Sequence, residues 1–168
     1  MKRFITKYIS SSHTFFVGII ILVSLNAFWK INNIFFRQDE WVGLGGALSR
    51  RENGGLFKVI EDVFESFTSS RFLPLSSITN YIVYNLFGIN TSYYGVMGLG
   101  ATLINAILLY AISYILTKSK IAAVIVALLW ITNNLVFQSI SWIATMIPSQ
   151  FALMFFLISF LFLFLYIY

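Results

Sequence analysis

The sequence predicts an all-α, polytopic membrane protein with about four transmembrane helices and further amphipathic helices in its first outer loop. Hydrophobic residues make up 59% of the 168 residues and charged residues 10%, so the chain cannot form an ordinary water-facing surface. Four apolar runs approach the roughly 20 residues that are needed to cross a bilayer. The sequence pI of about 9.6 therefore indicates an oriented membrane protein, and no nucleic-acid partner is predicted.

The first apolar run covers residues 14–36 and follows Lys2, Arg3 and Lys7. A cleaved signal peptide also places basic residues before an apolar stretch. This run is long and has no small-residue cleavage pattern after it, which favours a retained helix. The other predicted spans cover residues 93–116, 121–138 and 149–168.

The basic residues of the chain predict its orientation. Three cations precede the first span, and Lys118 and Lys120 lie in the short link between the second and third spans. Lys and Arg are enriched in the loops that stay on the cytoplasmic side of a membrane. The N-terminus is therefore predicted to be cytoplasmic, and residues 37–92 are predicted to lie outside, at the plasma membrane.

This outer loop carries all six acidic residues of the chain. Apolar residues recur there every three or four positions over residues 56–68, which predicts an amphipathic helix at the membrane interface. Pro74 and Gly88 are suitable start and stop residues for a second helix over residues 74–88. If that second segment crossed the membrane, the link at Lys118 would move outside, so the segment is predicted to lie flat on the lipid.

The loop opens on FFRQDEWVGLGG, which places two adjacent carboxylates, Asp39 and Glu40, just after the first span. One of them could act as a general base or a metal ligand at the membrane surface. Alternatively, Asp39 could cap a helix that begins at Trp41, with Glu40 complementing the helix dipole. Adjacent side chains point in different directions on a helix or a strand, so the two carboxylates are not expected to share one task.

Neither a metal site nor a phosphate loop is indicated by the sequence. Asp39, Glu40 and Glu52 are the carboxylates that could contribute to a divalent ion, and they form no dense cluster, so no cofactor is predicted. The glycines of the GLGG segment follow no predicted strand and match neither common phosphate-binding pattern.

Small and polar residues within the spans predict how the helices pack. Polar side chains are costly in lipid, so Asn105, Asn133 and Asn134 are expected to pair between helices or to line a cavity. Pro148 is interpreted as the start of the fourth helix, and Trp142 as a residue of the interfacial aromatic belt. Three glycines of the second span predict a close-packing face: Gly95, Gly98 and Gly100.

The order of the motifs resembles that of a known family. A basic N-terminus and one span are followed by FFRQDEW, by an Arg-x-x-Pro-Leu step that begins at Arg71, by YNLFGIN and by a KSK turn. This order is similar to the N-terminal region of GT-C membrane glycosyltransferases, in the protein mannosyltransferase-like and lipid A aminoarabinose transferase-like branch. The resemblance covers nearly the whole chain. It implies transfer of a sugar from a polyprenyl-phosphate donor to an acceptor hydroxyl at the outer membrane face, with inversion.

The resemblance also implies roles for individual residues. An acidic residue of the first outer loop is the catalytic base in that family, which implies Asp39 here, with Glu40 as its neighbour or alternative. Arg71 would stabilise the leaving phosphate, and the alternative role for it is an anchor in anionic headgroups. The candidate substrate-binding residues are Arg71, Arg37, Trp41, Gln138 and Trp142.

Two features depart from the family pattern. Many relatives have Asn and His in the second span, at positions that match Gly98 and Thr102 here. GT-C enzymes also have more spans than the four predicted, so the chain is interpreted as the N-terminal portion of a longer enzyme that acts with a missing C-terminal portion or a partner chain. The alternative is a non-catalytic four-span protein that serves as an assembly partner or a lipid-binding module. A transporter fragment fits less well, because the charges gather in the loop and not at the membrane midplane.

Overall fold

The structure is a computed structural model that describes residues 11–31, 36, 38–68 and 74–167, and every regular element in this part of the chain is helical. The prediction of an all-α protein is confirmed. A 3₁₀ turn, Ser66–Thr68, follows the helix Leu56–Glu65, and a π-helical turn, Ile147–Phe151, interrupts the helix Ile143–Ile167. The helices in chain order are α1 Ser11–Ala27, α2 Gln38–Glu52, α3 Leu56–Glu65, α4 Pro74–Phe87, α5 Thr91–Thr117, α6 Lys120–Ile131, α7 Asn134–Ser141 and α8 Ile143–Ile167.

Two helices are long and apolar enough to cross a membrane. These are α5, with 27 residues, and α8, with 25 residues. Helices α6 and α7 form a third candidate span if they are counted together, although their axes differ in direction by 50°. Helix α1 is apolar over its 17 residues. The structure thus supports a helical membrane protein with two or three spans by length, and the expected number of four stays a prediction.

The third predicted span, over residues 121–138, is not one straight helix. Helix α6 ends at Ile131, and Asn133 has an extended backbone just before α7. The side chain of Asn133 accepts a hydrogen bond from the backbone N–H of Leu135 at 2.9 Å. Asparagine favours this N-cap position because its side chain can replace a missing backbone acceptor. Asn133 therefore caps a helix and does not pair between helices as expected.

Helix α5 lies at the centre of the bundle and packs against α1, α6 and α8. At one end, here called the turn end, the Lys120 side chain donates a hydrogen bond to the hydroxyl of Ser12. At the same end, Nδ1 of His13 lies 2.7 Å from the hydroxyl oxygen of Tyr110. The start of α1 and the link between α5 and α6 therefore share one end of the bundle, as the predicted orientation requires.

The opposite end, here called the loop end, carries α2, α3 and α4. Helix α2 packs against α4 and against the start of α8, and α3 packs against both α4 and α2. Pro74 begins α4, and Gly88 follows the helix with a left-handed backbone at φ +55°, where glycine has no steric penalty. Helices thus form in both loop segments where they were predicted, and α2 adds a third, while their position at the membrane interface stays a prediction.

Gly98 is the point of closest approach between α5 and the helices that follow the break. A Cβ atom at Gly98 would come within 2.4 Å of Cγ2 of Ile140 and within 2.6 Å of Sδ of Met146. Gly95 is also buried, whereas a Cβ at Gly100 would have no neighbour within 4 Å. The predicted close-packing face is confirmed at Gly98, and the inclusion of Gly100 was wrong.

A polar network crosses the bundle interior at the π-helical turn. The Asn105 side-chain amide donates hydrogen bonds to the backbone carbonyl and to Oε1 of Gln150, both at 3.0 Å. The Gln150 amide donates in turn to the hydroxyl of Ser139 at 2.6 Å. The expectation that Asn105 pairs between helices is confirmed. Pro148, however, lies inside the π-helical turn, and α8 begins five residues earlier at Ile143, so the interpretation of Pro148 as a helix start was wrong.

Candidate functional site

The two carboxylates lie in the first turn of α2, which begins at Gln38 and not at Trp41 as predicted. Asp39 is therefore inside the helix and is not its cap. Consecutive helical residues are about 100° apart around the axis, so the two side chains leave the helix in different directions. Asp39 is exposed, whereas the side chain of Glu40 is fully buried. The expectation that they point apart is confirmed.

Glu40 joins the loop to the membrane bundle. Its Oε1 accepts a hydrogen bond from the backbone N–H of Ala144 at 3.3 Å. Ala144 lies in the first turn of α8, where backbone N–H groups have no acceptor within the helix. A carboxylate is favoured at this position because the helix dipole places partial positive charge there. Glu40 thus holds the first turn of α2 against the start of a candidate membrane span.

Tyr84 of α4 completes this corner of the loop, and no pattern in the sequence pointed to it. Its ring is buried and lies so close to α2 that a Cβ atom at Gly43 would come within 2.9 Å of both Cε2 and the hydroxyl oxygen. Burial, together with the negative charges of Glu40 and Asp39, raises the pKa of Tyr84 to about 12. A tyrosine side chain is protonated at neutral pH in any case, and the raised pKa extends this protonated range to more alkaline pH.

Aromatic rings pack together behind this corner. Tyr94, at the start of α5, contacts Phe36, Tyr84 and Phe87 with ring centroids 5.4–5.8 Å apart. The Tyr94 hydroxyl donates a hydrogen bond to the carbonyl of Gly88 at 2.9 Å. Ring pairs at these distances add to the hydrophobic gain from burial. The cluster packs α4 against the start of α5 and brings Phe36, which precedes α2, against Tyr94.

An ion pair holds α2 against α3. Nε of Arg50 lies 2.7 Å from Oδ2 of Asp62, and Nζ of Lys58 lies 3.3 Å from Oδ1 of the same carboxylate. The hydrogen bond from Arg50 lowers the pKa of Asp62, partial burial opposes this, and Lys58 lowers it further. Because the pair is partly exposed, it contributes more to the orientation of the two helices than to overall stability.

The other predicted site residues are not all near the carboxylates. Trp41 is exposed and contacts the edge of Phe36, with ring centroids 5.2 Å apart. Trp142 lies between α7 and α8, two residues before Ala144, whose backbone N–H donates a hydrogen bond to Glu40. Gln138 is exposed on α7, one turn before Trp142. Arg37 and Arg71 lie outside the described residues.

Glu52 cannot join the carboxylate pair in a metal site. It ends α2, 13 residues after Asp39, which corresponds to roughly 20 Å along the helix. In the part of the chain that the structure describes, no three histidine or acidic side chains lie close enough together to hold a metal ion.

Comparisons with protein families, with curated proteins and with solved structures find no match for this chain. The geometry of the loop end is consequently the basis for assigning a function. At the loop end Asp39 exposes its carboxylate from the first turn of α2, which is held by the contact of Glu40 with α8 and by the packing of Tyr84. Such an arrangement can accept a proton from a bound substrate without moving, which is what general-base catalysis requires.

Proposed function

We propose that the chain is part of a GT-C-type membrane glycosyltransferase that transfers a sugar from a polyprenyl-phosphate donor to an acceptor hydroxyl at the outer membrane face. The observation that supports this best is the different environment of the two neighbouring carboxylates. Glu40 is buried and holds α2 on α8, which leaves Asp39 exposed on a fixed helix turn. The order of motifs in the sequence supports the same function.

In this proposal Asp39 is the catalytic base. Its carboxylate takes the proton of the acceptor hydroxyl while that oxygen forms a bond to the anomeric carbon of the donor sugar. The bond between the anomeric carbon and the phosphate oxygen breaks on the opposite face, and polyprenyl phosphate leaves with the bonding electrons, so the configuration is inverted. Arg71 and Arg37 would neutralise the charge that develops on the leaving phosphate.

Glu40 has a positioning role in this mechanism. Its bond to the Ala144 N–H keeps the first turn of α2 at the end of a candidate membrane span. A polyprenyl-phosphate donor carries its phosphate at the lipid surface, because the polyprenyl chain is buried in the bilayer. The base therefore has to be held at the height of the headgroups, and a contact between α2 and the end of a span achieves this.

The test is a transfer assay in membranes from cells that express the full-length gene product. Labelled polyprenyl-phosphate mannose and polyprenyl-phosphate aminoarabinose serve as donors, and label in the acceptor fraction is measured. Asp39→Asn should lower transfer by about 100-fold or more, because it removes the general base. Glu65→Gln changes another exposed carboxylate of the same loop and should leave transfer unchanged.

Equal transfer by the Asp39→Asn variant and the unaltered protein would contradict the role of Asp39. Absence of transfer from either donor in the unaltered protein would favour the non-catalytic alternative, a membrane protein that acts as an assembly partner or a lipid-binding module.

A further inference from the structure

Helix α3 has three distinct sides. One is buried in the loop, where Val59 is 1% exposed and Val63 is 8% exposed. The second carries the charged residues Lys58, Glu61, Asp62 and Glu65. The third, here called the apolar stripe, is exposed and consists of Leu56, Phe57, Ile60, Phe64 and, in the following 3₁₀ turn, Phe67.

The apolar stripe exposes large aromatic side chains. Phe57 is 85% exposed, Phe64 72% and Phe67 68%. Each square ångström of apolar surface left in water costs about 25 cal/mol, so a continuous row of three phenylalanines is unfavourable unless an apolar phase covers it. Scattered apolar residues on a surface need no such explanation, but these recur on one side of one helix.

The charged side shows which direction faces water. Lys58 pairs with Glu61 at 2.8 Å and with Asp62 at 3.3 Å, and Arg50 of α2 pairs with Asp62. With about 100° between consecutive residues, the centre of this side lies roughly 140° around the helix from the centre of the apolar stripe. This separation is typical of a helix that lies parallel to a membrane surface, between lipid and water.

Apolar helices lie on both sides of the loop in the chain. Helix α1 leads into the loop, and α5, which is long enough to cross a membrane, leads out of it. Helix α4, which packs against α3, also exposes apolar residues on the side away from Val83 and Tyr84. These residues are Ile82 and Leu86, and Ile89 in the turn after α4 is exposed as well.

We propose that α3 lies flat in the lipid headgroup region, with its apolar stripe among the acyl chains and its charged side toward water. The partner is the bilayer itself, and neutral phosphatidylcholine is sufficient. The charged side carries one lysine and three acidic residues, so anionic headgroups offer it no net attraction. The insertion is consequently independent of salt, because it depends on burial of apolar surface and not on charge.

Single cysteines can test this proposal, since the chain contains none. Phe64→Cys places a nitroxide label on the apolar stripe, and Glu65→Cys places the same label on the charged side one residue later. Both variants of the full-length protein are reconstituted in phosphatidylcholine vesicles, and collision rates of the label with oxygen and with a water-soluble nickel chelate are compared. Oxygen is concentrated in lipid, and the chelate is excluded from it.

The label at residue 64 should collide more with oxygen than with the chelate, the label at residue 65 should show the reverse, and high salt should change neither ratio. Three results would overturn the proposal. Chelate access at residue 64 would place the stripe in water, exclusion of both reagents would mean that protein covers it, and dependence on added anionic lipid would make the attraction electrostatic. If the Phe64→Cys variant does not fold, Phe57→Cys, on the same stripe, gives the same readout.

Discussion

Gly43 is the residue on which the contact between α2 and α4 depends. The Tyr84 ring occupies the space that a side chain at this position would fill. Because the ring is 3% exposed, it has little room to move aside. Gly43→Ala should therefore lower the free energy of unfolding by about 1–3 kcal/mol, the usual cost of overpacking. Thermal unfolding in detergent micelles measures the change.

Gly45→Ala is the matched control for this prediction. It makes the same substitution two residues later in α2, where a Cβ atom meets nothing within 4 Å. Alanine is the better helix former by roughly 0.5–1 kcal/mol, so this variant should be as stable as the unaltered protein or slightly more stable. Equal stability of the two variants would show that the Tyr84 ring can pack against α2 even when residue 43 has a side chain.

At the scale of single residues, the sequence was enough to locate the carboxylates and to predict that they point apart. It was not enough to say which of them is buried. That depends on the Ala144 N–H, which is 104 residues further along the chain. Tyr84 was missed for a similar reason. The apolar pattern of α4 does not show which side of that helix faces α2, because this depends on how α4 packs in the folded chain.

At the scale of elements, the closest contact is the crossing of α5 with α7 and α8 at Gly98. Gly98→Ala would place a methyl group within 2.4 Å of Ile140 and within 2.6 Å of Met146. Both neighbours are buried, so the helices would have to separate. We expect a loss of about 1–3 kcal/mol in the free energy of unfolding, measured by thermal unfolding in detergent.

Gly100→Ala, on the same helix, has open space around it and should leave the stability of the bundle unchanged. A large loss of stability in the Gly100→Ala variant would mean that α5 tolerates no added side chain at either position. The specific contact at Gly98 would then not be the cause of the loss in the Gly98→Ala variant.

The bounds of α3 and α4 could be predicted because their signals are local. They consist of a three-to-four-residue apolar repeat, a starting proline and a terminating glycine. The break before α7 also has a local signal, because Asn133 is a helix cap, but the prediction of one continuous span overlooked it. The π-helical turn could not be predicted in the same way. The carbonyl of Gln150 accepts a hydrogen bond from Asn105, which lies on another helix, so a contact distant in sequence accompanies the irregular turn.

At the scale of the whole molecule, the basic residues predict the orientation of the bundle. Thr117 lies at the turn end, next to Lys118, and Ser49 lies in α2 at the loop end. A membrane-impermeant maleimide added to intact cells should label the Ser49→Cys variant. It should label the Thr117→Cys variant only after permeabilisation, because positively charged links stay in the cytoplasm. Labelling of Thr117→Cys in intact cells would mean that the orientation is reversed.

The contact between Glu40 and Ala144 also has a consequence for the order of assembly. The carboxylate is synthesised 104 residues before its partner N–H group. At roughly 5–20 residues per second, the ribosome needs about 5–20 s to reach the partner. Until then α2 can pack against α4 but lacks its contact with α8. The corner that presents Asp39 is thus completed only after the first turn of α8 has been made, so a nascent chain that stalls earlier would lack this contact.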